Sequence, residues 1–266
     1  MQRRKLDFTV ISDIHLGTVA SKAKELNRYL KSIQPKILII NGDLVDLWQI
    51  DKNVFPDEHI KVIRRLMKMM SEGTEVYYIT GNHDEWLRRY SNGRLGRFHL
   101  VNHLLLRYQG SYHWFFHGDI FDVLLPYARF FALFGSTGFE FLLKFNRIIH
   151  SMRWFFGKER LSLSRRKTKK GERFVESFEK AAVAFASKLG YENVICSHIH
   201  NPIIKQFQME NGAVQYLNSG DWVEHLTALE FCQGKWTLIH YNDLNLNKQD
   251  LSFSEESIPR KLSVVL

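Results

Sequence analysis

Five short apolar runs in this chain are each followed at once by side chains that can bind metal, and that repetition leaves few folds open. FTVIS (8–12) leads into Asp13-Ile14-His15, and KILIIN (36–41) into Gly42-Asp43-Leu44-Val45-Asp46. VYYIT (76–80) leads into Gly81-Asn82-His83-Asp84, HWFF (113–116) into His117-Gly118-Asp119, and NVICS (193–197) into His198-Ile199-His200. The runs are β-branched and aromatic, as strands buried on both faces should be. Helical periodicity separates the early ones, at 21–33 and 57–70, and a third helix is expected over 171–190, closed by Gly190. VQYLN (214–218), TALEF (227–231) and WTLIH (236–240) read as later strands. Strands alternating with helices predict an α/β chain, and in open α/β sheets ligands bind beyond the carboxyl ends of the strands. Five such ends would bring Asp13, His15, Asp43, Asn82, His117, His198 and His200 to one crevice.

The chemistry of that set is specific. Oxygen and imidazole donors without thiolate suit divalent ions such as Mn²⁺, Fe²⁺ or Zn²⁺. Seven donors exceed one tetrahedral shell and suit two ions about 3.5–4 Å apart, bridged by a carboxylate. Taken singly, each histidine also fits a strand-end or core role. Five motifs in this order do not. Cys196, two residues before His198, reads as a small core residue rather than a ligand.

Length and charge narrow the rest. At 266 residues the chain fits one domain, 1–266, with room for an insertion. Lys plus Arg minus Asp plus Glu gives 37 − 28 = +9, which favours an anionic partner or, equally simply, a solvated basic surface. Two cysteines argue for a reducing compartment. MQRRKLDFTVIS makes a poor signal peptide because Asp7 and Asp13 interrupt it, and no stretch of 18 uninterrupted apolar residues exists. The rhythm of the chain breaks over 121–170. Within that segment, 139–156 places Phe141, Phe145, Ile148, Ile149, Met152, Phe155 and Phe156 on one helical arc, and RLSLSRRKTKKGER follows. We read 121–170 as a helical cap insertion.

The motif series D-x-H, G-D-x-x-D, G-N-H-D, a lone H and H-x-H resembles the calcineurin-like metallophosphoesterase superfamily. The resemblance implies a four-layer α/β/β/α sandwich with a dimetal site at the edge of its sheets. It also implies roles: Asp13, His15 and His200 for the first metal, Asn82, His117 and His198 for the second, and Asp43 between them. His83 would be the general acid or transition-state stabiliser, with Asp46 fixing its tautomer; a helix-cap or loop role for Asp46 stays open. The G-D-x-x-D-R-G and G-N-H-E of protein Ser/Thr phosphatases are absent, since GDLVDLWQ lacks the Arg and Asp84 stands for Glu.

More of the chain resembles a narrower branch, the UDP-2,3-diacylglucosamine diphosphatases of lipid A biosynthesis. ISDIHLGT (11–18), GDLVDLW (42–48), GNHDEWLRRY (81–90), HGDIFD (117–122) and NSGDWVEHLTALE (218–230) carry it. Two departures stand out: the best-studied proteobacterial members of that branch carry Arg where this chain has His83, which places it with the GNHD-bearing homologues, and Ser197 takes the place of a glycine. The resemblance implies a cap that holds acyl chains, with Lys167, Lys169 and Asp122 meeting a nucleotide-linked glycolipid. For the run 165–170 a solvated basic loop is the other reading, and for the 139–156 arc it is packing onto the body. A loop that shapes the site is expected at Asp221 and Trp222, with a core role for Trp222 equally open. The expected enzyme hydrolyses a diphosphate with two ions, Mn²⁺ first, at the cytoplasmic face of an anionic inner membrane. A nucleotide or cyclic-nucleotide phosphodiesterase is the alternative, then a membrane-surface module with a lapsed site. No protein partner is evident, and a nucleic acid is not expected, because no groove of aromatics interleaved with basic residues is legible.

Overall fold

Strands with apolar residues on both faces need cover on both sides, and that requirement organises the molecule. The structure is a computed structural model and describes residues 3–46, 55–121, 169–244 and 262–265. Strand β1 (Arg4–Ile11) pairs in parallel with β2 (Ile33–Asn41), which pairs in parallel with β3 (Glu75–Ile79). Along β2 the side chains alternate between two cores. Leu38 and Ile40 pack beneath helices α1 (Ala23–Ser32) and α2 (Asp57–Ser71), while Ile37 and Ile39 face the second sheet. Each such fully buried aliphatic side chain contributes about 1.5–3 kcal/mol.

The remaining strands are β4 (Gly93–Leu95), β5 (Phe98–Val101), β6 (His103–Tyr108), β7 (Ser111–Phe116), β8 (Asn193–Cys196), β9 (Ile203–Met209), β10 (Gly212–Asn218), β11 (Thr227–Cys232), β12 (Lys235–His240) and β13 (Leu262–Val265). Helix α3 (Lys169–Leu189) precedes β8. One sheet runs β12-β11-β1-β2-β3-β5-β4 and the other β13-β6-β7-β8-β10-β9. Phe8, Val10, Phe115, Ile195 and Leu217 share the core between the sheets; Trp114, Phe116, Val194 and Tyr216 pack beneath Phe178, Val183 and Phe185 of α3. The layers are therefore helices, sheet, sheet, helix, an α/β sandwich as expected.

The helices obey their sequence pattern. Leu26, Tyr29 and Leu30 of α1 and Val62, Leu66 and Met69 of α2 are buried at three- and four-residue spacing. Gly190 ends α3 at φ 73, the left-handed cap expected of it. Five strands escaped the sequence reading. The β6–β7 hairpin turns on Gln109 (φ 51) and Gly110 (φ 86), a two-residue turn with both φ positive, and Gln is a weak signal for it. The expected insertion at 121–170 lies outside the described residues except for Phe121 and the first two residues of α3, Lys169 and Lys170. Asp122, Lys167 and the 139–156 run lie outside them with it. Lys169 opens α3.

Candidate metal centre

The polar motifs sit immediately past the ends of β1, β2, β3, β7 and β8, and the backbone there takes an unusual shape. Asp13 (φ 48), His15 (φ 51), Asp43 (φ 52), His198 (φ 61) and His200 (φ 43) all occupy the left-handed region. Non-glycine residues there cost on the order of 1 kcal/mol each and cluster at functional sites. The intervening residues hold the strained turns down. Ile14, Leu16 and Leu44 are buried in the α1–α2 core, and Ile199 is buried beneath α3. Thus D-x-H and H-x-H alternate an apolar anchor with a polar side chain that points into the crevice. Asp13 N–H donates to Gly42 O (3.1 Å), Ile14 and His15 N–H to Asp43 O (both 2.9 Å), and Asp46 N–H to Leu16 O (2.9 Å), which stitches the first two motifs together.

Asp43 is the hub. Its Oδ2 lies 3.5 Å from His117 Nε2 and 3.9 Å from both His15 Nε2 and His83 Nε2. Asp13 Oδ1 lies 2.9 Å from His200 Nε2, and Asn82 Oδ1 lies 3.1 Å from His117 Nε2. His117 Nδ1–H donates to Asn41 O (2.9 Å), which turns Nε2 towards Asp43. Ser197 is accounted for here: its hydroxyl donates to Asn41 O (2.7 Å) and lies 3.0 Å from His117 Nδ1. His198 stacks edge-on to His117 with ring centres 5.1 Å apart, and its N–H donates to Asp13 Oδ2 (3.3 Å). His83 Nδ1–H donates to Asp46 Oδ2 at 2.6 Å, the expected pairing. There is no room for a Cβ at two glycines: at Gly42 it would overlap the His117 ring, and at Gly81 the Asp43 carboxylate.

The donors fit divalent ions. Asp13, His15 and His200, then His15, Asp43 and His83, then Asp13, Asp43 and His117 each bring ligand atoms within 4.8 Å of one another. Asp13 Oδ1 is buried, and the group it faces among the described residues is His200 Nε2, itself an expected ligand atom. Of the expected ligands, Asn82 and His198 stand outside these three groups, both beside His117.

Charge in the crevice is set by competition. Burial opposes charging of His117 and His200, but Asp43 and Asp13 outweigh it and push them up to about 10 and about 9. Burial raises Asp43 and Asp13, yet the imidazoles hold both below their ordinary values. Asp84, fully buried, is raised to about 7 by desolvation and then by Asp43. From an ordinary 6.5, the two raised histidines contribute stability that is complete below that pH and lost as pH rises through about 9 to 10. Asp84 adds in the same direction through about 7. The thermal midpoint of chelator-treated protein is therefore expected to fall from about pH 6.5 to 10, and a flat profile would contradict this arrangement. The depressed carboxylates act oppositely, with stability lost only on strong acidification.

Some residues that shape the site were not singled out from the sequence. Asp84 Oδ1 accepts Gly81 N–H (2.5 Å), while Oδ2 accepts Leu44 N–H (3.0 Å) and the Tyr78 hydroxyl, clamping the second and third motifs together. Arg88 donates to Asp119 Oδ2 (2.7 Å) and Gly81 O (3.2 Å), joining the third motif to the fourth. Trp222 is a core residue, 5.3 Å from the Tyr29 ring. Cys196 is buried with its thiol pushed up to about 12 by desolvation, and its Sγ meets the Tyr216 hydroxyl at 3.3 Å, as a core residue does. Among the described residues, no helix is long and apolar enough to cross a membrane.

Comparison with known proteins agrees with this geometry. The chain is similar to proteins named UDP-2,3-diacylglucosamine hydrolase from several bacteria. With that of Aeromonas salmonicida it is 26% identical over 245 residues, 86% of this chain and 91% of that one. With that of Hahella chejuensis it is 24% identical over 250 residues, 91% and 98%. With that of Porphyromonas gingivalis the match is 28% over 124 residues, 44% of this chain and 47% of the relative. Among solved structures, the E. coli phosphoesterase Yfce aligns at a TM-score of 0.47 and 15% identity, covering 89% of this chain and 93% of that one. A family model described as calcineurin-like phosphoesterase matches residues 6–202. The chain belongs to the calcineurin-like phosphoesterase family.

Proposed function

We propose that this phosphoesterase is a dimetal pyrophosphohydrolase that cleaves the diphosphate of UDP-2,3-diacylglucosamine, releasing UMP and the acylated sugar phosphate lipid X. The observation that carries this reading is the convergence of three imidazoles, from the ends of β1, β3 and β7, on the one carboxylate of Asp43. The names of relatives aligned along most of the chain support the substrate. Asp13, His15 and His200 would hold one ion and Asn82, His117 and His198 the other, with Asp43 available to both. Mn²⁺ is the first expectation, because oxygen and imidazole donors without thiolate suit it, and Fe²⁺ or Zn²⁺ would also fit. What bound ions supply is Lewis acidity, which activates water as a nucleophile and offsets phosphoryl charge.

The protein's own groups do the rest. Asp46 takes the Nδ1–H of His83 and so aims Nε2 into the crevice beside Asp43. Water attacks one phosphorus and gives up a proton to solvent, the bond to the bridging oxygen breaks, and His83, as imidazolium with its Nδ1–H on Asp46, passes its Nε2 proton to the departing phosphate oxygen. Asn41 O keeps the Nδ1–H of His117 engaged, leaving Nε2 for a ligand role. Lys167, Lys169 and Asp122 are proposed to meet the glycolipid, and the +9 net charge fits peripheral contact with an anionic membrane at its cytoplasmic face.

The test is a comparison of substrates. Purified protein with Mn²⁺ is expected to turn over UDP-2,3-diacylglucosamine with a kcat/KM well above that for bis-p-nitrophenyl phosphate or a plain UDP-sugar. Similar values for all three would reject the lipid-linked substrate in favour of a general nucleotide phosphodiesterase. Metal binding without turnover of any would reject the diphosphatase itself.

A further inference from the structure

A sixth strand end contributes to this crevice. Strand β10 lies in parallel beside β8 and runs out into Ser219-Gly220-Asp221-Trp222. That loop is held from both sides: Ser219 N–H donates to Cys196 O (3.1 Å), Trp222 N–H to Asp13 O (3.2 Å), and the Ser12 hydroxyl lies 2.7 Å from that of Ser219. The Asp221 side chain has no solvent exposure. Its Oδ1 accepts the N–H groups of Val223 (2.9 Å), Glu224 (2.5 Å) and His225 (3.1 Å), which fixes the carboxylate plane. Its Oδ2 is thereby aimed at two imidazoles, His225 Nδ1 at 2.5 Å and His200 Nδ1 at 3.4 Å.

His200 needs such a partner. Its backbone sits at φ 43, its Nε2 faces Asp13 Oδ1 at 2.9 Å, and its buried Nδ1 makes no hydrogen bond of ordinary geometry among the described residues. Asp221 Oδ2 is the acceptor that Nδ1 faces, just beyond ordinary hydrogen-bond length. A carboxylate behind a ligating imidazole fixes its tautomer and raises its basicity. We propose that Asp221 is a positioning residue that holds His200 with Nε2 free to ligate, and that the half-exposed His225 is a second imidazole held by the same oxygen at the rim. The proposal rests on the reading of His200 as a ligand.

Metal binding, measured apart from turnover, tests it. Chelator-stripped wild type, Asp221→Asn, His225→Ala and His200→Ala are titrated with Mn²⁺, and free Mn²⁺ is followed by electron paramagnetic resonance. Asn keeps an oxygen for the three loop N–H groups but removes the charge facing His200. Asp221→Asn is expected to weaken one ion by about 10–100-fold and leave the other unchanged. Its activity should recover towards wild type as Mn²⁺ is raised. His225→Ala should bind both ions as wild type does. Wild-type affinity in Asp221→Asn would overturn the proposal, as would an equal loss in His225→Ala. Should Asp221→Asn fail to fold, Asp221→Ser, whose hydroxyl can still accept loop N–H bonds, gives the same comparison. His200→Ala separates the two levels. Loss of one ion there keeps the ligand reading whatever Asp221 does, and two ions retained would overturn both.

Discussion

Replacing Asp43 by asparagine is expected to remove metal and activity together. Asn has the same shape, and its oxygen can still accept the His83 backbone N–H that donates to Asp43 Oδ1 at 2.8 Å. What disappears is the one negative charge that faces His15, His83 and His117 at once. In water-excluded surroundings a charge of that kind is worth far more than at a surface. Loss of a supporting partner behind a ligand costs about 10–100-fold, and loss of the shared carboxylate should cost more, on the order of 10³-fold or beyond in kcat/KM. Elemental analysis of reconstituted protein should show fewer than two ions per chain in the variant. Two ions and sustained turnover would remove Asp43 from its assigned place.

The second large effect is expected at His83, and it should look different. His83→Gln should keep both ions, because Asp13, Asp43 and the other donors remain, while kcat falls by about 10²–10⁴-fold, the range for losing a general acid. The loss should depend on the leaving group. An alkoxide leaving from an unactivated alkyl phosphodiester needs a proton far more than the weakly basic phosphate of a diphosphate (second pKa about 6) or a p-nitrophenolate does, so the deficit should be larger with the alkyl ester. Asp46→Asn should follow the same pattern with a smaller loss, because the ring remains but its Nδ1 partner no longer fixes the tautomer. Equal losses on the alkyl ester and the diphosphate would assign His83 to binding or packing instead.

These expectations were reachable from the sequence to differing degrees. The strand ends were legible because each combines a two-sided apolar run with a polar cluster, and because Ile14, Leu44 and Ile199 mark anchors between the polar residues. Gly42 and Gly81 were visible only as motif letters; their reason, the absence of space beside His117 and Asp43, is three-dimensional. Asp84 read as a replacement for Glu, yet its buried carboxylate clamps two motifs that lie 40 residues apart in Leu44 and Asp84. Asp221 was expected only as part of a loop that shapes the site; like Asp13 and Asp43 it follows a strand, but no neighbouring histidine marked it as the partner of a ligand. Strands β4, β5, β6, β9 and β13 were missed for a simpler reason. Strands β4, β5 and β13 are only three or four residues long, and β6 (HLLLRY) is rich in leucine rather than β-branched residues. Strand β9, with Lys205, Gln206 and Gln208 among Ile203, Ile204 and Phe207, lacks a continuous apolar run.

The central claim is that Asp43 stands between two ions. Crystals of the protein soaked in Mn²⁺ and measured at the manganese absorption edge test it most directly. Two anomalous peaks are expected, one beside Asp13, His15 and His200 and one beside Asn82, His117 and His198, with the Asp43 carboxylate reaching both. A single peak, or two peaks of which neither touches Asp43, would contradict it.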